Sequence, residues 1–182
     1  MRKIITLLAY LLMVSGNLWA QYSTDWIRPA DNYLKTGTMI ARDSLDNLFV
    51  TGYIQAQNIY TRKYNKFGAL QWEKISTSGI ASNYEKPVWI NTDKNNNALV
   101  VGYRYAISSG RDYPSAIVVL KYNPSGALLW KKSISVSVLV NRSLGFNLRS
   151  EVDNNGNLYI GTVTANPSGF NLYKLNSSGI TI

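Results

Sequence analysis

The 182 residues contain neither histidine nor cysteine, so no imidazole can shuttle a proton, no thiolate can attack and no disulfide can form. What chemistry remains belongs to carboxylates, lysines and aromatic rings, and several of these recur at fixed places. Asp43, Asp93 and Asp153 each open a polar turn that leads into an apolar run. Lys63, Lys121 and Lys174 each precede a second turn, and Trp72 and Trp130 stand four residues after that turn's glycine. The acids lack the dense alternating carboxylates of a calcium loop, so their spacing favours Asx-type turns over a metal site. No two carboxylates are spaced for general acid–base catalysis, and no cofactor is expected. Tryptophans that recur at one place in each copy are expected to pack between copies rather than to form a sugar platform. Each repeated Lys is expected to lie between copies and pair with its Asp.

Residues that do not recur are the better carriers of a specific function. Three segments differ between copies: Gln55 to Ile59, Arg104 to Ser115, and Ala165 to Gly169. The middle one is the longest and holds Tyr105, Arg111, Asp112 and Tyr113, which form the candidate ligand loop. The alternative reading of this segment is a tolerated insertion.

The elements that position these groups follow from the repeat. Asp43 to Gly52, Asp93 to Gly102 and Asp153 to Gly161 align, as do the blocks that begin at Lys63, Lys121 and Lys174. Asn123-Pro124-Ser125-Gly126 between apolar runs is a type I turn followed by a left-handed glycine. Asn65 to Gly68 and Asn176 to Gly179 repeat it without the proline. Strands are expected in the first copy at 36–43, 47–54, 59–65 and 69–76. Gly52, Gly102 and Gly161 inside the second strands suggest close backbone approach. Short four-stranded sheets repeated along a chain and covered on both faces imply an all-β fold, a partial β-propeller of about three four-stranded antiparallel blades. The blades are expected at 36–76, 85–135 and 145–182, the third incomplete, with an outer strand at 23–29 around Trp26 belonging to a further blade.

The pattern Asp-turn-Asn-Leu-Tyr-Ile-Gly (Asp153 to Gly161), with Lys121-Tyr-Asn-Pro-Ser-Gly-Ala-Leu-Leu-Trp130, resembles the bacterial β-propeller repeat known as the SBBP repeat. The resemblance spans 36–182 and implies a propeller in an exported or cell-surface protein, with no catalytic residues to carry over. Residues 1–20 agree with export. Arg2 and Lys3 precede an apolar run from Ile4 to Val14, with Ala20 at the cleavage position, so the mature chain at 21–182 is expected to begin at Gln21. That run is too short to span a bilayer, and no membrane span is expected in the mature chain. Removing Arg2 and Lys3 lowers the formal charge from +9 to +7; the cations are dispersed, which argues against a nucleic-acid partner. The function expected is that of a non-enzymatic secreted or cell-surface module that binds protein or polysaccharide. The alternatives are an exported propeller enzyme acting on glycans and a structural spacer in a larger surface protein.

Overall fold

The computed structural model describes residues 35–54, 58–108, 111–136, 148–165 and 168–182. The expected leader at 1–20, the outer strand at 23–29, residues 55–57 and the opening of the third blade at 145–147 lie outside them. The described residues form an all-β chain of three antiparallel sheets with four, four and three strands and no helix. The first sheet runs β1 (Lys35–Arg42), β2 (Leu48–Ile54), β3 (Ile59–Tyr64) and β4 (Leu70–Ser76). The second runs β5 (Tyr84–Thr92), β6 (Ala98–Ser108), β7 (Arg111–Tyr122) and β8 (Leu128–Ser135). The third holds β9 (Leu148–Val152), β10 (Leu158–Ala165) and β11 (Ser168–Leu175), with one further bridge from Leu175 to Thr181. Each sheet is a meander in which chain order equals spatial order.

Both turns of each copy have one geometry. In the Asp-led turns the first residue exchanges backbone hydrogen bonds with the fifth and the fourth, and the fourth (Asp46, Asn96, Gly156) has positive φ. The Asn-led turns do the same, with Gly68, Gly126 and Gly179 in the fourth place. The leading carboxylates are consumed by the turn itself. Asp93 Oδ1 accepts the Asn95 and Asn97 N–H groups, and Oδ2 accepts the Asn97 side-chain amide. Asp43 and Asp153 are held in the same way.

Alternating side chains in the second sheet point to opposite neighbours, as the pleat requires. Ala98, Val100, Val118, Leu120 and Tyr122 pack on Phe49 and Ile59 of the first sheet. Leu99, Val101, Tyr103, Ile117 and Val119 pack on Leu148, Leu158, Ile160 and Leu175 of the third. β6 is therefore covered on both faces, which explains its unbroken apolar run. Between sheets the backbones come closest along the first strands, β1 beside β5 and β5 beside β9.

The inner glycines are not all equivalent. Gly102 faces Pro87, where β5 bulges before Trp89, and a Cβ there would strike the Lys86 carbonyl and come within 2.9 Å of Pro87 Cα. Gly52 stands in the same place, opposite Gly37 and the bulge in β1. Gly161 does not. Its strand is one residue shorter from the leading Asp, so Thr162 takes the Gly102 position and a Cβ on Gly161 would meet only the Phe170 ring, at 3.1 Å.

Candidate functional site

The recurring Lys and Trp form a latch between sheets. In β4 and β8 a bulge at Gln71 and Leu129 shifts the register, so that Trp72 faces Lys63 across the ladder and Trp130 faces Lys121. A bulge re-aims a side chain by inserting one residue, and here it brings Lys and Trp to one face. Both then donate to a single carbonyl of the next sheet's turn. Lys63 Nζ and the Trp72 indole reach Pro124 O at 3.1 and 3.0 Å. Lys121 Nζ and Trp130 reach Ser177 O at 3.2 and 3.1 Å. Lys121 also pairs with Asp93 at 2.9 Å, both side chains buried, while Lys63 lies 3.8 Å from Asp43. Burial opposes ionisation of Asp93, but the Asn97 amide and Lys121 outweigh it and hold the carboxyl below the ordinary value. In the third copy Tyr159 replaces Phe49 and Leu99, and its hydroxyl takes Asp153 Oδ2 at 3.2 Å. Lys174 sits over the Tyr159 ring instead, 5.3 Å from its centroid, so the expected Asp153–Lys174 pair is replaced by a cation–π contact.

Tyr105, Arg111, Asp112 and Tyr113 are not on a loop. β6 and β7 continue as a paired ladder out to Ser108 and Arg111, so the segment is an extended β-hairpin. A register shift at Ser115 accommodates Pro114, which cannot donate to the ladder. Tyr105 stacks on Tyr84 with centroids 4.8 Å apart, and the Tyr84 hydroxyl donates to Asp112 Oδ2 at 2.7 Å. Lys86 Nζ lies over three rings: Tyr53 of the first sheet at 5.0 Å, Tyr84 at 5.2 Å and Tyr105 at 5.9 Å. Burial, with Tyr103 and Asp112 close by, pushes the Tyr105 hydroxyl up to about 12. The structure thus joins Tyr105 and Asp112 through Tyr84. Tyr113 pairs with Ala106 farther out on the hairpin and Arg111 with Ser108 at its tip.

Sequence reasoning missed a buried ion cluster. Glu85, fully buried, accepts Arg104 at 2.9 Å and Lys131 at 2.8 Å. Lys131 also donates to Ser76 Oγ at 3.1 Å and Thr77 O at 2.6 Å of the first sheet. Its partners are 46 to 55 residues away, a separation that leaves no local signal. Above it, Lys74, Ile75, Ser76 and Thr77 on one side and Tyr122, Gly126, Ala127, Leu128 and Lys131 on the other enclose a groove of about 470 Å³. Among the described residues no three acids converge as a metal-binding group, and no helix is long and apolar enough to cross a membrane.

No protein-family description matches the chain, and no curated protein does. Among solved structures the fold is similar to a protein of unknown function from Bacteroides caccae, with a TM-score of 0.54 and 12% identity over 86% of this chain. At that identity the likeness concerns the fold alone. The chain spans about half of that structure, 47% of its length.

Proposed function

We propose that the chain is an arc of an exported SBBP-type β-propeller, acting as a non-enzymatic module that binds protein or polysaccharide. The observation that carries this reading is the contrast between the two ends of the sheets. At one end lie the Asp-led and Asn-led turns, the same in geometry in every copy and occupied by the latch. At the other end the copies diverge. The second copy there extends β6 and β7 to 11 and 12 residues, against 7 and 6 for β2 and β3. Repetition serves packing, and departure from it is where a partner can be read. Support for the propeller comes from the four-stranded meanders and from first strands set side by side. Export rests on the leader-like residues 1–20.

The test is binding of the purified chain to arrays of glycans and surface proteins, with Tyr105→Ala and Asp112→Ala as variants at the divergent end. Loss of binding in these variants, with turn-end variants such as Ser44→Ala unaffected, is the expected result. Binding that ignores the hairpin but fails with the turn-end variants would overturn the assignment. The leader is checked by sequencing the N-terminus of secreted material, which is expected to start at Gln21.

A further inference from the structure

Tyr122 is 3% exposed, and its hydroxyl makes no hydrogen bond with any described group. A buried hydroxyl without a partner is costly and rare, and it marks a place for a water or a ligand oxygen. Tyr122 lines the groove between β4 and β8, beside the Glu85–Arg104–Lys131 cluster. Of that cluster only Lys131 lines the groove, so the groove wall carries two lysines, Lys74 and Lys131, and no carboxylate. Lys131 already directs its N–H groups to Glu85, Ser76 and Thr77. Lys74, on the opposite wall, is exposed and forms no ion pair among the described residues, which leaves its ammonium as the free donor. Ile75 and Leu128, about half exposed, supply apolar surface at the rim. The volume falls in the range of small-molecule sites.

We propose that this groove is a binding site for an acidic saccharide unit, a sugar ring bearing one carboxylate or sulfate. Lys74 takes the anion with Lys131 beside it, the Tyr122 hydroxyl takes a sugar oxygen, and the apolar side of the ring rests on Ile75 and Leu128. The groove is not a by-product of the repeat. At the next interface Leu175 stands where Tyr122 stands, and Ile134 where Ser76 does, so neither hydroxyl recurs. This inference rests on the reading of the chain as an interaction module and adds to the hairpin a second, separate site whose ligand is a saccharide.

Calorimetric titration of the whole chain at low salt tests it, with a uronic acid hexamer, a sulfated neutral-backbone hexamer and a glucose hexamer as probes. The acidic probes are expected to bind and the glucose hexamer not to; carboxylate and sulfate affinities tell the two anions apart. Lys74→Gln and Tyr122→Phe should each weaken the acidic ligand about tenfold, the value of one charge-assisted or buried hydrogen bond. Neither should lower the melting temperature, since Lys74 supports no ion pair among the described residues and Phe keeps the ring. Unchanged affinity in both variants overturns the site, as does an absence of binding by both acidic probes. If Tyr105→Ala abolishes saccharide binding while the groove variants do not, the site is overturned and the interaction module stands. If neither glycans nor proteins bind, both readings fall.

Discussion

Replacing Gly126 by Ala tests the latch, because two penalties act there and a control separates them. Gly126 has φ +85 and Gly156 has φ +78, so an alanine at either place meets the same left-handed penalty, about 1–2 kcal/mol. Alanine also restricts the unfolded chain equally at both positions, so that effect cancels in the comparison. The surroundings differ. At Gly156 the added carbon would meet Ser177 Cβ at 3.5 Å, an ordinary contact. At Gly126 it would stand 2.9 Å from Cγ and Cδ2 of Trp72, ring atoms that cannot bend aside. The indole must move. It then gives up its hydrogen bond to Pro124 O, worth about 1 kcal/mol. It also loses tilted contacts with Phe49 and Tyr122, each at 5.8 Å and worth about 0.5–1.5 kcal/mol. Gly126→Ala should therefore cost about 3–6 kcal/mol and Gly156→Ala about 1–2 kcal/mol. Urea unfolding followed by circular dichroism reads both. Gly179→Ala, whose added carbon meets Trp130 at 2.9 Å, should follow Gly126→Ala. Equal midpoints for Gly126→Ala and Gly156→Ala, with equal slopes, would show that the tryptophan is not seated on the turn.

Two further outcomes follow from the buried ions. Lys121→Met strips the cation from a buried Asp93 and should destabilise by about 3 kcal/mol, the low end for a broken buried pair because turn N–H groups still hold the carboxylate. Lys174→Met removes only a contact over the Tyr159 ring and should cost under about 1 kcal/mol; comparable losses would contradict the difference between the copies. The Asp93 carboxyl is held below its ordinary 3.8, so the stability it contributes is present above that pH and lost as pH falls through the folded-state value. Thermal melts between pH 5 and 2 should show a smaller acid-side drop in Asp93→Asn than in the native chain.

The strands were readable to within a residue or two because each is bounded by a turn whose Asn, Asp and Gly are required by geometry. Trp72 and Trp130 were assigned correctly to packing between copies on recurrence alone, and two of the three Lys pairings followed. Lys174 departed because one substitution, Tyr159 opposite it, brings a hydroxyl that claims the carboxylate. Gly161 misled the alignment since a glycine one residue early looks the same in sequence, whereas the pleat makes every single-residue shift a change of face. Tyr105 and its neighbours read as a loop because Pro114 and the charged residues break the alternation, and the ladder absorbs them through an irregularity at Ser115. Glu85, Arg104 and Lys131, like the Lys86 ring cluster, join distant elements, and only the meeting of two sheets makes them neighbours.

The latch also gives the assembly a direction. In both latches the donors sit on the earlier sheet and the accepting carbonyl on the later one, so neither sheet closes its own latch. It waits for its successor. On a chain threaded from its N-terminus, order would then consolidate backwards, each newly folded sheet locking the one that emerged before it, and the most recent sheet would always be the least secured.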